Sequence, residues 1–151
     1  MKPSFIASQM TDIPVILEMM KEFYALDNYP FDVAVAKENL MEFIGNADLG
    51  RLFLILEDKN IIGYITLTFG YSFEYGGRDA FIDEFFIKEA YRNQGVGKAT
   101  MAFLAEASQG LGVKALHLEV ERYNEHASRL YLNEGFKANN RTLLTKRIAL
   151  N

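Results

Sequence analysis

The chain has 151 residues, 50% of them hydrophobic and 24% charged, with a formal net charge of −4. That length suits one domain with a sizeable core, expected to span residues 1–151. The composition excludes a disordered or fibrous chain, and the acidic balance argues against a general nucleic-acid binder.

There is no cysteine. Disulfides, thiolate-ligated zinc and a cysteine nucleophile are therefore excluded. His117 and His126 are too few for a multi-histidine site, so no metal is expected. The N-terminal stretch MKPSFIASQM holds no long apolar run, so no signal peptide is expected. The richest apolar stretch, Ile61 to Phe69, is far too short to cross a bilayer. A cytoplasmic protein with neither membrane nor nucleic-acid partner is the expectation.

Phe5 to Ala7 reads as a first strand. Ile13, Ile16, Leu17, Met20, Phe23 and Tyr24 recur at helical spacing, predicting a helix over about Asp12–Leu26 with Thr11 or Asp12 as its cap. Pro30 punctuates the following loop, and Asp32 suits the cap of a second helix over Val33–Ile44. Arg51–Glu57 and Ile61–Phe73 form a predicted hairpin around Asp58-Lys59-Asn60. Asp79–Lys88 is a third strong strand, and a helix follows to about Gln109. Lys114–Val120 alternates like a strand, Asn124–Asn133 is a short helix, and Phe136–Ala138 with Leu143–Ile148 is expected to close a final hairpin around Asn139-Asn140. The order β-α-α-β-β-β-α-β-α-β-β indicates an α/β domain with a mixed sheet.

The most informative stretch is Arg92-Asn93-Gln94-Gly95-Val96-Gly97-Lys98, between a strand and a helix. Gly95 and Gly97 remove side-chain bulk. The first N–H groups of the helix lack intrahelical acceptors and lie at the positive end of its dipole. An anion site is expected here, with Arg92 and Lys98 adding charge. A tight turn with glycines for packing alone is the competing reading. A Walker A loop fails, because Arg92 and Ala99 stand where it needs glycine and Ser or Thr. A dinucleotide fingerprint is weak, because its third glycine would be Thr100.

The pattern Arg92-x-x-Gly95-x-Gly97, separated by a four-residue gap from Phe85-Phe86-Ile87, resembles the GNAT superfamily of N-acetyltransferases. Asn124, Tyr131 and Gly135-Phe136 are similar to that family's later Asn…Tyr…Gly-Phe motif. Phe81-Ile82-Asp83-Glu84-Phe85-Phe86-Ile87 is similar to a strand of diamine acetyltransferases. Asn93 and Glu89 depart from the family, where many members carry Gly and Pro.

The resemblance implies a mixed, largely antiparallel central sheet, splayed in the middle and flanked by helices. It implies acetyl-CoA as donor, with coenzyme A as product. Phe85 and Ile87 would hydrogen-bond the acetyl and pantetheine amide groups, with Phe86 between them also at the cofactor, against a plain reading as core strand residues; residues Arg92, Asn93, Gln94, Gly95, Val96, Gly97 and Lys98 would hold the pyrophosphate; Asn124 would contact the cofactor. Tyr131 would protonate the departing thiolate, against a plain reading as a core residue.

Asp83 or Glu84 would assist deprotonation of the amine. Strand alternation puts these two on opposite faces, with Asp83 beside Phe85, unless a bulge changes the parity; the similarity to diamine acetyltransferases slightly favours Asp83. Tyr24, Asp27, Tyr29 and Phe31 occupy the place of the acceptor pocket, or form an ordinary interhelix loop. Tyr71-Ser72-Phe73-Glu74-Tyr75 reads either as part of that pocket or as an exposed surface for a homodimer. His117 reads as structural and His126 as a helix cap. A small-molecule amine is the expected acceptor. A non-catalytic acyl-CoA-binding module and a protein N-terminal or lysine acetyltransferase are the alternatives.

Overall fold

The structure is a computed structural model that describes residues 2–149. Its strands are β1 (Ser4–Ala7), β2 (Gly50–Glu57), β3 (Asn60–Ser72), β4 (Gly77–Ile87) and β5 (Ala115–His117). Its helices are α1 (Ile13–Leu26), α2 (Val33–Gly45), α3 (Val96–Gly110) and α4 (Glu125–Asn133), with single 3₁₀ turns at Met10–Asp12 and Glu89–Tyr91. The strands form one sheet in the order β1-β2-β3-β4-β5. Neighbours are antiparallel up to β4, and β5 joins β4 in parallel.

The apolar residues of α1 and α2 follow the helical repeat and cover one face of the sheet. Ile13, Ile16, Met19 and Leu40 meet Leu52, Leu54, Tyr64 and Phe86 there. On the opposite face Met101 and Leu104 of α3 pack on Phe53, Ile65, Leu67, Ala80 and Ile82. Leu54, Ile65, Leu67 and Leu104 are fully buried. Burying each such side chain stabilises the fold by roughly 1.5–3 kcal/mol before entropy is charged against it. Asp32 caps α2 as its position predicts, accepting the N–H groups of Ala34 and Val35 at 3.0 and 3.2 Å. Asp12 precedes α1 but turns back, accepting the Gln9 N–H at 2.8 Å.

β5 stops at His117, three residues short of the expected Val120. Its pairing with β4 covers only Asp79–Phe81 against Ala115–His117, although β4 continues to Ile87. Beyond Phe81, β4 has no strand on that side among the described residues. This is the splay of the sheet.

The expected hairpin over 136–148 does not form; the described part of that segment carries no regular structure. Local polar bonds compete with strand pairing there. Asn139 Oδ1 accepts the Arg141 N–H at 3.1 Å in a side-chain turn, and Arg141 is held by a two-pronged ion pair with Glu74 at 2.7 and 2.8 Å.

Candidate active site

The chemistry gathers where β4 is irregular. Ile65 faces Phe85 and Leu67 faces Ile82, so Asp83 and Glu84 together oppose the single residue Thr66. This bulge reverses the alternation of the strand. Ile82 and Phe85 both pack on the α3 side, whereas Asp83 and Glu84 both line cavities on the α1–α2 side. The expectation that the two carboxylates lie on opposite faces, with Asp83 beside Phe85, is therefore corrected. Thr66 Oγ1 accepts the Glu84 N–H at 2.9 Å and steadies the bulge.

Glu84 is held by two phenols. Tyr24 donates to Oε2 at 2.5 Å and Tyr64 to Oε1 at 2.7 Å. Burial pushes the Glu84 carboxyl above its ordinary value, and the Asp83 charge adds to that rise. The two hydroxyl donors pull the other way. Both phenols are pushed up, first by burial and then by the adjacent carboxylate. Their protons therefore stay on oxygen through the neutral range. Asp83 is exposed beside them.

Around this pair stand all four residues expected for the acceptor. Tyr24, Asp27 and Tyr29 share with Asp83 and Glu84 a cavity of about 260 Å³. Phe31 lines a larger neighbouring cavity of about 770 Å³, which also reaches Tyr24, Asp83 and Glu84. Its ring meets that of Tyr24 edge-on at 5.3 Å. Asp27 is not idle: its Oδ1 accepts the Tyr123 hydroxyl at 3.0 Å. Tyr71 and Phe73 lie outside both cavities, exposed and edge-on to each other at 5.5 Å.

At the far end of β4 the glycine loop opens α3. Gly95 adopts the left-handed conformation at φ 83°, with open space where a Cβ would stand. Asn93 is also left-handed at φ 60°. That conformation explains the departure from glycine, because asparagine tolerates it best among the larger residues. Ala99 is the first residue of α3 whose N–H finds a backbone acceptor, the Gly95 carbonyl at 3.1 Å. The N–H groups of Val96, Gly97 and Lys98 have none among the described residues.

The residues present thus fit a pyrophosphate, with one revision. Gly97 is small for packing, since a Cβ there would lie 2.9 Å from Leu130 Cδ2 of α4. Arg92 braces the loop: its Nε donates to the Ile87 carbonyl at 2.7 Å, and its guanidinium lies 5.6 Å from the centre of the Phe86 ring. Gln94 Nε2 donates to the Ala90 carbonyl at 2.9 Å, and Lys98 is exposed.

Asn124, and not His126, caps α4, accepting the Ala127 N–H at 3.1 Å. Tyr131 belongs to the α3-side core, edge-on to Phe136 at 5.8 Å. Burial raises its hydroxyl above the ordinary value. It lies on the same side of the sheet as Phe85, away from the carboxylate cavities. His117 is structural as expected, 3.0 Å from Asp79 across the β4–β5 junction.

The model of the acetyltransferase (GNAT) family matches residues 16–136. The chain belongs to the GNAT acetyltransferase family. An uncharacterized N-acetyltransferase of Bacillus subtilis (strain 168), YycN, is 33% identical over 84 residues, covering 56% of this GNAT chain and 53% of that protein. The thialysine N-epsilon-acetyltransferase of Bos taurus is 32% identical over 71 residues, 47% of this chain and 41% of that one. The chain thus matches about half or less of the length of these curated relatives. An integron cassette protein from the mobile metagenome of Cole Harbour Salt Marsh has the same fold, with a TM-score of 0.87 and 33% identity over 97% of this chain and 91% of that one. The splayed, mostly antiparallel sheet is the GNAT fold.

Sequence reasoning missed Tyr64, Thr66 and Tyr123. Tyr64 carried a signal. A phenol in the middle of a mostly apolar strand, where its neighbours are buried, needs a partner for its hydroxyl. Thr66 and Tyr123 carried none, because their roles depend on a bulge and on a contact 96 residues apart in the chain.

Proposed function

We propose that this GNAT chain moves an acetyl group from acetyl-CoA directly to a primary amine of a small molecule. One observation carries the reading. The β4 bulge turns Asp83 and Glu84 into a cavity at the place where β4 has left β5 and that edge of it has no strand partner among the described residues. Acetyl-CoA would supply the thioester. The unpaired amides of Val96, Gly97 and Lys98 at the start of α3 suit its pyrophosphate. The open edge of β4 between Ile82 and Phe86 suits the pantetheine amides.

An ammonium drawn between Asp83 and Glu84 must lose its proton before it can attack. Glu84 is the better acceptor of that proton, directly or through water. Its raised carboxyl is a stronger base than an ordinary carboxylate, and the two phenols fix its orientation. This gives the base role to the residue that the resemblance to diamine acetyltransferases favoured less. Asp83 holds the cation, and Tyr24, Tyr29 and Phe31 wall the pocket. Tyr131, kept protonated by burial, supplies a proton to the departing sulfur. The bovine relative's named acetylation of an ε-amine is in keeping with an amine acceptor.

The test is thiol release from acetyl-CoA across a panel of small amines, with wild type and Glu84→Gln. Turnover with at least one amine, falling about 10²-fold in the variant, is expected. Coenzyme A binding without turnover on any amine makes the chain a binding module and overturns the reading.

A further inference from the structure

We propose that Tyr123 is a positioning residue that clasps the cofactor-binding segment to the wall of the acceptor cavity, so that filling one site orders the other. The proposal rests on the transferase reading and adds a link between its two substrates. The segment from Leu118 to Phe136 carries Asn124, at the start of α4, and Tyr131. Among the described residues its hydrogen bonds stay within the segment, with one exception. The Tyr123 hydroxyl donates to Asp27 Oδ1 at 3.0 Å, across 96 positions of the chain.

That bond spans the splay of the sheet. Tyr131 and Phe136 pack with the core on the α3 side. Asp27 follows the last residue of α1 and lines the 260 Å³ cavity with Asp83 and Glu84, on the other side. Burial does little to fix the segment: Tyr123 is 71% exposed, and no residue of α4 is buried. A directional bond therefore has a large share in placing it. Tyr123 adjoins Asn124, whose side chain caps α4, so the clasp sets where that helix start stands. At the other end the bond occupies one oxygen of Asp27 and leaves Oδ2 for an ammonium. The Asp27 carboxylate holds the Tyr123 hydroxyl above its ordinary value, so the donor keeps its proton through the neutral range. Ordering either end reduces the freedom still to be lost at the other, which is positive coupling.

The experiment reads amide hydrogen exchange by mass spectrometry, with and without coenzyme A, in wild type, Tyr123→Phe and Asp27→Asn. Asparagine keeps the accepting oxygen and removes the charge. Coenzyme A should slow exchange over 118–127 and, in wild type, over 24–31 as well. Tyr123→Phe should keep the first effect and lose the second, whereas Asp27→Asn should keep both. Without ligand, Tyr123→Phe should exchange about fivefold faster over 24–31, the factor for one hydrogen bond, with α3 unchanged. Protection of 24–31 that survives in Tyr123→Phe overturns the proposal. So does its loss in Asp27→Asn, which would make charge the link, or its absence in wild type while 118–127 is protected. Faster exchange throughout α3 in Tyr123→Phe would mean a general loss of stability and overturns it too. Failure of coenzyme A to protect any segment defeats the transferase reading. The ligand-free comparison then decides the clasp, which equal exchange over 24–31 in wild type and Tyr123→Phe would overturn.

Discussion

Tyr64, wholly buried in β3, donates its hydroxyl to Glu84 Oε1 on β4 at 2.7 Å. Each group makes the other tolerable away from water. Tyr64→Phe keeps the ring and deletes the donor, leaving a largely buried carboxylate with one phenol. The variant should lose roughly 1.5–3 kcal/mol of unfolding free energy, the range for hydrogen bonds to charged groups. Urea denaturation measures it, and an unchanged midpoint would remove the coupling. The Glu84 carboxyl should rise further, because that hydroxyl now holds it down.

Glu84 also sets a pH dependence with a definite sign. Its carboxyl is raised in the folded chain above the ordinary value of 4.5. Between 4.5 and the raised value the folded state holds more protons than the unfolded one, so stability falls as pH rises through that window. Other carboxylates titrate nearby, so the readout is the difference between wild type and Glu84→Gln. Thermal melts from pH 4.5 upward should show wild type losing ground to the variant. A difference that stays level with pH contradicts the raised carboxyl.

Helix positions were legible because Ile13, Ile16, Leu17, Met20, Phe23 and Tyr24 of α1 recur at helical spacing and the Asp32 cap of α2 is local. The glycine loop was legible for the same reason, since left-handed turns announce themselves in sequence. The carboxylate pair was legible in place and not in orientation. One extra residue opposite Thr66 decides the face, and no periodicity within β4 records what β3 offers across the ladder. The segment after Phe136 misled because Leu143, Leu144 and Ile148 read as a strand, yet strand formation needs a partner edge. Here those side chains are exposed and Arg141 is tied to Glu74 instead.

The two loop glycines do different work and should separate on mutation. Gly95→Ala meets no atom but must hold a positive φ, which costs about 1 kcal/mol and re-aims the amides of Val96 and Gly97. Gly97→Ala keeps an ordinary helical backbone but pushes a methyl against Leu130 Cδ2, the end of a side chain that can turn aside. Gly95→Ala should therefore weaken coenzyme A binding in calorimetry more than Gly97→Ala does. The reverse order would mean that the phosphate does not depend on the left-handed turn.

Tyr131 tests the last proton of the reaction. Its hydroxyl has no hydrogen-bond partner among the described residues, and its ring supplies the packing against Phe136. Tyr131→Phe should therefore melt within a degree or so of wild type, since no satisfied bond is lost. The chemical step is another matter. Burial holds the phenol above its ordinary value of 10.0, so it is fully protonated at neutral pH and able to donate. Deleting it should lower kcat about 10²-fold with little change in KM for either substrate. The alkaline limb of the wild-type kcat profile should begin above 10.0 and vanish in the variant. A variant of normal stability that turns over at the full wild-type rate would show that solvent, rather than this residue, protonates the sulfur.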